Sequence, residues 1–90
     1  MNLRIQKIAD MINKGVVLAD IGTDHAFLPI LAIKHKKVQK AYACDIANGP
    51  LEIAKRNIQA ENLDTQIETI LSNGFENVPQ DVDVVVIAGM

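Results

Sequence analysis

The sequence predicts an α/β fold, a parallel sheet with flanking helices. Three observations carry that prediction. Short apolar runs of strand length stand at Val16 to Ile21, Ala41 to Cys44, Ile67 to Leu71 and Val82 to Ala88. Segments with apolar residues at helical spacing lie before and between the first three of them. The resulting order is helix, strand, helix, strand, helix, strand, loop, strand. Strands that alternate with helices build parallel sheets joined by right-handed crossovers.

Ile5, Ile8, Ala9 and Ile12 share a helical face, and Asn13-Lys14-Gly15 ends it, with Gly15 suited to the left-handed cap position. Val16 to Ile21 reads as a strand buried on both faces. Leu28, Leu31, Ala32 and His35 share one face of a second helix. Proline is tolerated only in a helix's first turn, so Pro29 places its start near Phe27 or Leu28. Ala41 to Cys44, ending at Asp45, is the second strand. Asn48 or Gly49 is expected to cap the third helix, with Pro50 at its first position and Glu52 near the positive end of its dipole. Leu51, Ala54 and Ile58 form its buried stripe. Ile67 to Leu71 alternates weakly, and Val82 to Ala88 is the plainest strand of the four. It runs out at Ala88-Gly89-Met90, so the expectation is a domain truncated after its fourth strand, with that strand left as an exposed edge.

Ninety residues make one small domain with a thin core. Phe27, Tyr42 and Phe75 are the only aromatic residues, so that core is aliphatic. A net charge of −2 gives no global argument for nucleic-acid binding. The lone Cys44 excludes an internal disulfide framework and a multi-cysteine zinc site. His25, His35, Cys44 and the acids fall into no metal-ligand spacing, so no metal is expected. The start lacks the pattern of a secretory signal, and the longest apolar stretch is too short to span a bilayer. The expectation is a cytoplasmic protein without a membrane partner.

Parallel sheets bind ligands at the carboxyl ends of their strands, where strand order reverses. The loop leaving the first strand is Asp20-Ile21-Gly22-Thr23-Asp24-His25-Ala26. A dinucleotide fold needs glycine at three positions so that a pyrophosphate can sit on the helix N-terminus. Counting from Gly22, the other two positions hold Asp24 and Phe27, and an acid at Asp24 would repel pyrophosphate. No Gly-Lys-Ser/Thr phosphate loop occurs either. An acidic loop suits a cationic ligand without phosphate, such as S-adenosyl-L-methionine, with Asp20 and Asp24 facing its methionine end. Each acid also has a plainer reading as a helix-capping or turn residue. Asp45 ends the second strand, where an acid can bind both ribose hydroxyls, although it can also be a strand-end turn residue. Asn73, in Ser72-Asn73-Gly74-Phe75, is placed to meet an adenine edge with Phe75 nearby, although Asn-Gly is also a common turn.

Three segments together resemble the bacterial tRNA adenine(22)-N1 methyltransferase family. They are Asp20 to Ile30, Asp45 with Asn48-Gly49-Pro50-Leu51, and Ile87-Ala88-Gly89-Met90. The resemblance runs in register over nearly the whole chain. It implies a Rossmann-like class I methyltransferase domain that binds S-adenosyl-L-methionine. Residues 1–90 would be the N-terminal part of that domain, and a C-terminal helical, partly coiled-coil domain that helps hold tRNA is absent from this chain. The implied cofactor residues are Asp20, Gly22, Thr23 and Asp24 from the first loop. Asp45, Ile46, Asn73, Gly74, Ala88 and Gly89 complete them. The implied catalytic group is Asp24, His25 and Phe27, and tRNA is the partner of the full-length protein. Phe27 stands where the family usually has tyrosine, and Asn73 where it usually has aspartate.

Other readings compete. His25 can be a hydrogen-bonding residue at a helix start. Lys34, Lys36, Lys37 and Lys40 with His35 form a basic patch, expected to be a solvated helix end with at most a minor part in steering tRNA. Two alternatives to the transferase are a non-catalytic cofactor-binding module and a nicotinamide-dependent oxidoreductase.

Overall fold

The computed structural model describes residues 7, 11–12, 15–35 and 38–87. Most of the expected first helix, Ile5, Ile8 and Ala9, lies outside the described residues, as do Lys36, Lys37, Ala88 and Gly89. Ile12 is buried in the core, and Gly15 has the left-handed backbone expected of it, with φ +79°.

The described elements are β1 (Val16–Ile21), α1 (Phe27–Lys34), β2 (Val38–Asp45), α2 (Asn48–Ala60), β3 (Ile67–Leu71) and β4 (Val84–Val86). The strands form one sheet in the order β3-β2-β1-β4, and every pairing is parallel. The chain steps from β1 to β2 to β3 in one direction and then returns to the far side of β1. Strand order therefore reverses at β1, and the crevice follows from that reversal.

Side chains alternate across β1, and each set has its own core. Leu18 packs with Ala41 and Ala43 of β2, Ile67 of β3 and the buried faces of both helices. Val17, Ala19 and Ile21 pack on the opposite face with Tyr42 and Cys44. Both helices lie on one face, as successive right-handed crossovers in the same direction require. The return to β4 must then cross the other face. Residues 72–83 do so without a helix, and Val78 and Val82 pack onto the second core.

Local differences from the expected elements have physical causes. β2 starts at Val38, earlier than expected, because Gln39 and Lys40 hide any apolar run while Val16 pairs with Val38 and Val17 with Lys40. β4 is shorter than expected and half-exposed, because among the described residues it pairs with β1 alone. Val82 turns into the second core, and Asp83 bonds both backbone groups of Val17. Its N–H donates to the Val17 carbonyl at 2.8 Å, and its carboxylate accepts the Val17 N–H at 2.9 Å. α1 buries Leu28, Pro29, Ile30, Ala32 and Ile33, while Leu31 is half-buried and His35 exposed. A helix apolar all round has no single stripe to read. In α2 the stripe is Leu51, Ala54 and Ile58 as expected, but the cap is Ala47, and Pro50 sits at the third helical position. There its missing N–H costs nothing.

Candidate functional site

A cleft of about 500 Å³ opens at the carboxyl ends of β1, β2 and β3. That volume is in the range of small-molecule sites. Its walls are Ile21, Gly22 and Asp24 after β1, Asp45 and Ile46 after β2, and Ser72, Asn73 and Gly74 after β3. Of the residues expected at the site, Gly22, Asp24, Asp45, Ile46, Asn73 and Gly74 line this cleft. Phe75 is largely exposed and is not among the lining residues. Ala88 and Gly89 lie outside the described residues.

The first loop is built on left-handed backbone. Gly22, Asp24 and Ala26 have φ of +72°, +55° and +63°. Glycine takes this conformation freely and aspartate tolerates it, whereas for alanine it costs about 1–2 kcal/mol. Such strain persists where surrounding structure holds it, and it gathers at functional sites. The hold here begins on β2, where the N–H groups of Gly22 and Thr23 both donate to the Cys44 carbonyl at 2.9 Å. It ends with the Ala26 N–H on the Thr23 carbonyl at 3.1 Å.

Asp20 and Thr23 are buried and do not line the cleft wall. Asp20 is 4% exposed, and burial pushes its carboxyl up to about 7. Thr23 opposes that shift and the charge of Asp45 adds to it. Among the described residues, however, the Thr23 hydroxyl finds no hydrogen-bond partner of good geometry. A buried carboxyl and a buried hydroxyl thus stand at and just past the end of β1. Cys44 is pushed up to about 11 by burial, then by Asp20 and Asp45, so it is a packed thiol and not a nucleophile.

His25 and Phe27 stand in the next stretch of the chain. Their rings stack with centroids 5.1 Å apart and planes 11° from parallel. His25 Nδ1 is 3.2 Å from Asp24 Oδ2, and all three side chains are partly open to solvent. Phe27 also lines a smaller groove, about 210 Å³, between α1 and α2. Asp24 therefore connects the cleft to an exposed aromatic pair.

The third wall is held by side chains whose role the sequence did not signal. The Ser72 N–H donates to the Asp45 carbonyl at 2.8 Å, and its hydroxyl donates to the Gly74 carbonyl at 2.8 Å. Asn77 closes the turn, with its N–H on Ser72 Oγ and its amide on the Leu71 carbonyl. The basic patch resolves into separate contacts. Lys34 pairs with Glu61, and Lys40 lies over the Tyr42 ring at 5.0 Å. Among the described residues, no group of three or more His, Cys, Asp or Glu is placed to hold a metal, and no helix is long and apolar enough to cross a membrane.

A family model described as a methyltransferase domain matches residues 1–90. The chain belongs to the methyltransferase-domain family. Within that family it is 37% identical over 91 residues to the tRNA (adenine(22)-N(1))-methyltransferase of Bacillus subtilis (strain 168), a match covering 100% of this chain and 38% of the relative. The M. capricolum methyltransferase TrmK, solved with S-adenosyl-homocysteine, superposes with a TM-score of 0.90 and 44% identity. That match covers 97% of this chain and 40% of the other. Streptococcus pneumoniae Sp1610, solved with S-adenosyl-L-methionine, gives a TM-score of 0.93 and 34% identity over 100% of this chain and 43% of the other. The chain thus spans about two fifths of these relatives, and its fold is the Rossmann-like fold of methyltransferases.

Proposed function

We propose that this chain is the S-adenosyl-L-methionine-binding part of a methyltransferase that modifies N1 of an adenine, position 22, in tRNA. The observation that carries the reading is the cleft. Three parallel strands end in one acid-flanked cavity around the left-handed Gly22. The relatives that share the fold at 34–44% identity were solved with S-adenosyl-L-methionine or its demethylated product.

The residues present fit that cofactor. Asp45 closes β2, where it can accept from both ribose hydroxyls, while its Oδ1 already accepts the Ala47 N–H at 3.1 Å. Asn73 and Gly74 form the wall that would face an adenine edge. Asp24 lines the cleft, and Asp20 with Thr23 lies close by, toward the cationic methionine end. Ile46 offers an apolar surface, being largely exposed. Asp24 and Phe27, in place of a second and third glycine, speak against a nicotinamide dinucleotide. When bound, the cofactor supplies an electrophilic methyl group.

The chain's own residues then have two tasks. They orient the methyl group, and they present a partner surface to the acceptor base. Adenine N1 would take the methyl group with its own lone pair as the methyl–sulfur bond breaks and the thioether leaves, so the chain need supply no base and its residues would contribute chiefly positioning. The methylated base gains positive charge, which an acid at the rim stabilises. Asp24 is the acid best placed for this, with the His25–Phe27 pair beside it. We assign the working protein to the cytoplasm, where tRNA is modified.

Calorimetry with S-adenosylhomocysteine and with NAD tests the cofactor assignment. Binding of the first and not the second is expected, and binding of NAD alone refutes the reading. Methyl transfer to tRNA by a protein of the relatives' length, lost when adenine 22 is replaced, tests the substrate.

A further inference from the structure

His25 stands one residue before the cap of α1, so its carbonyl lies outside the helix and has no intrahelical donor. The neighbouring Ala26 carbonyl is satisfied normally, by the Ile30 N–H at 3.1 Å. The His25 carbonyl is satisfied from a distance. Asn57, 32 residues on and in the third turn of α2, donates through Nδ2 at 2.8 Å.

This bond falls in the middle of the strained loop. The loop is tied at its start to Cys44 and at its end through Ala26. Between them lies His25, flanked by left-handed Asp24 and Ala26. The His25 side chain is 42% exposed and meets only its near neighbours, the Asp24 carboxylate and the exposed Phe27 ring, so it does not tie the loop to α2 or the sheet. The described contacts leave the Asn57 amide as the tie that sets the path of Asp24-His25-Ala26. Asn57 also lines the groove between α1 and α2 beside Phe27.

We infer that Asn57 is a positioning residue for the Asp24–Ala26 segment, holding Asp24 toward the cleft through the His25 carbonyl. The inference rests on the cofactor reading of that cleft. Asn57 is not among the residues that line the cleft, and its amide bonds the His25 carbonyl. It acts by giving the His25 carbonyl, which lies ahead of the helix cap, a donor from α2.

Two variants separate positioning from general support of the fold. Asn57→Asp keeps the shape and removes the donor, and Asn57→Gln keeps an amide. Both are measured well below their melting temperatures by amide exchange and by calorimetry with S-adenosylhomocysteine. For Asn57→Asp, the amides of Asp24, His25 and Ala26 should exchange about tenfold faster, and affinity should fall about tenfold, the scale of one buried hydrogen bond. Amides of β2 and β3 should keep their relative protection, and Asn57→Gln should recover most of the affinity. Unchanged exchange and affinity in Asn57→Asp would overturn the inference, as would uniform acceleration across the sheet. If the parent chain itself fails to bind S-adenosylhomocysteine, the cofactor reading fails, and loop exchange alone still decides whether Asn57 holds the segment.

Discussion

Replacing Asp20 by asparagine is expected to stabilise the chain, and to do so more strongly as pH rises. Asp20 is 4% exposed, and its carboxyl titrates near 7 in the folded chain against 3.8 for the free group. Between those values the folded chain keeps a proton that the unfolded chain has released. Stability therefore falls as pH rises through this window and levels off above it. A shift of about three units corresponds to about 4 kcal/mol when the window has been crossed. Against the parent, the Asp20→Asn variant should gain about 2 kcal/mol at pH 5 and about 4 kcal/mol at pH 8, if its amide packs as the carboxyl does. Urea denaturation of both chains at the two pH values measures this directly. A difference independent of pH would refute the reasoning, since it would mean that the carboxylate is already compensated. The same chemistry predicts proton release on cofactor binding near pH 6, because a nearby ammonium favours the carboxylate. Calorimetry in buffers of different ionisation enthalpy detects it.

Three further outcomes follow from the geometry. Asp45→Ala should weaken S-adenosylhomocysteine binding by about tenfold to a hundredfold, the worth of charge-assisted hydrogen bonds, while the far-ultraviolet spectrum stays unchanged. Equal affinity would remove Asp45 from the site. Gly22→Val places a β-branched side chain at φ +72° and should cost about 1–3 kcal/mol or more in a thermal melt, with Gly22→Asn falling between the two. Equal melting of the valine and asparagine variants would show that the turn is not strained. Tyr42→Phe removes the phenol's bonds to both Asp81 carboxylate oxygens, at 2.9 and 3.0 Å, and should cost about 1 kcal/mol in urea. Faster exchange confined to residues 72–83 would show that this contact pins the crossover to the sheet.

The cleft was legible in the sequence because its residues belong to strand ends. Gly22 with Asp24, Asp45 with Ile46, and Asn73 with Gly74 each follow an apolar run directly, and parallel strands bring such ends together. Asp20 was legible as an acid but not as a buried one, since its burial comes from the core packed around it. Ser72 stood in a noticed segment, yet nothing local distinguishes a hydroxyl that braces a turn from one in water. Asn57 left no local signal, since the carbonyl it bonds is 32 residues away in the chain.

Residue spacing by itself determined the strand and helix alternation, the α2 stripe of Leu51, Ala54 and Ile58, and the acidic loop unsuited to pyrophosphate. These depend on periodicity and local charge, which the chain carries at every point. Only the tertiary structure decided that β4 lies on the far side of β1 and is short, and that residues 72–83 cross the second face. It also decided that Lys34 and Lys40 are engaged by Glu61 and Tyr42, and that α2 ties the cofactor loop. Each depends on which groups meet across the sheet, and pairing between distant segments is set by packing the whole core at once.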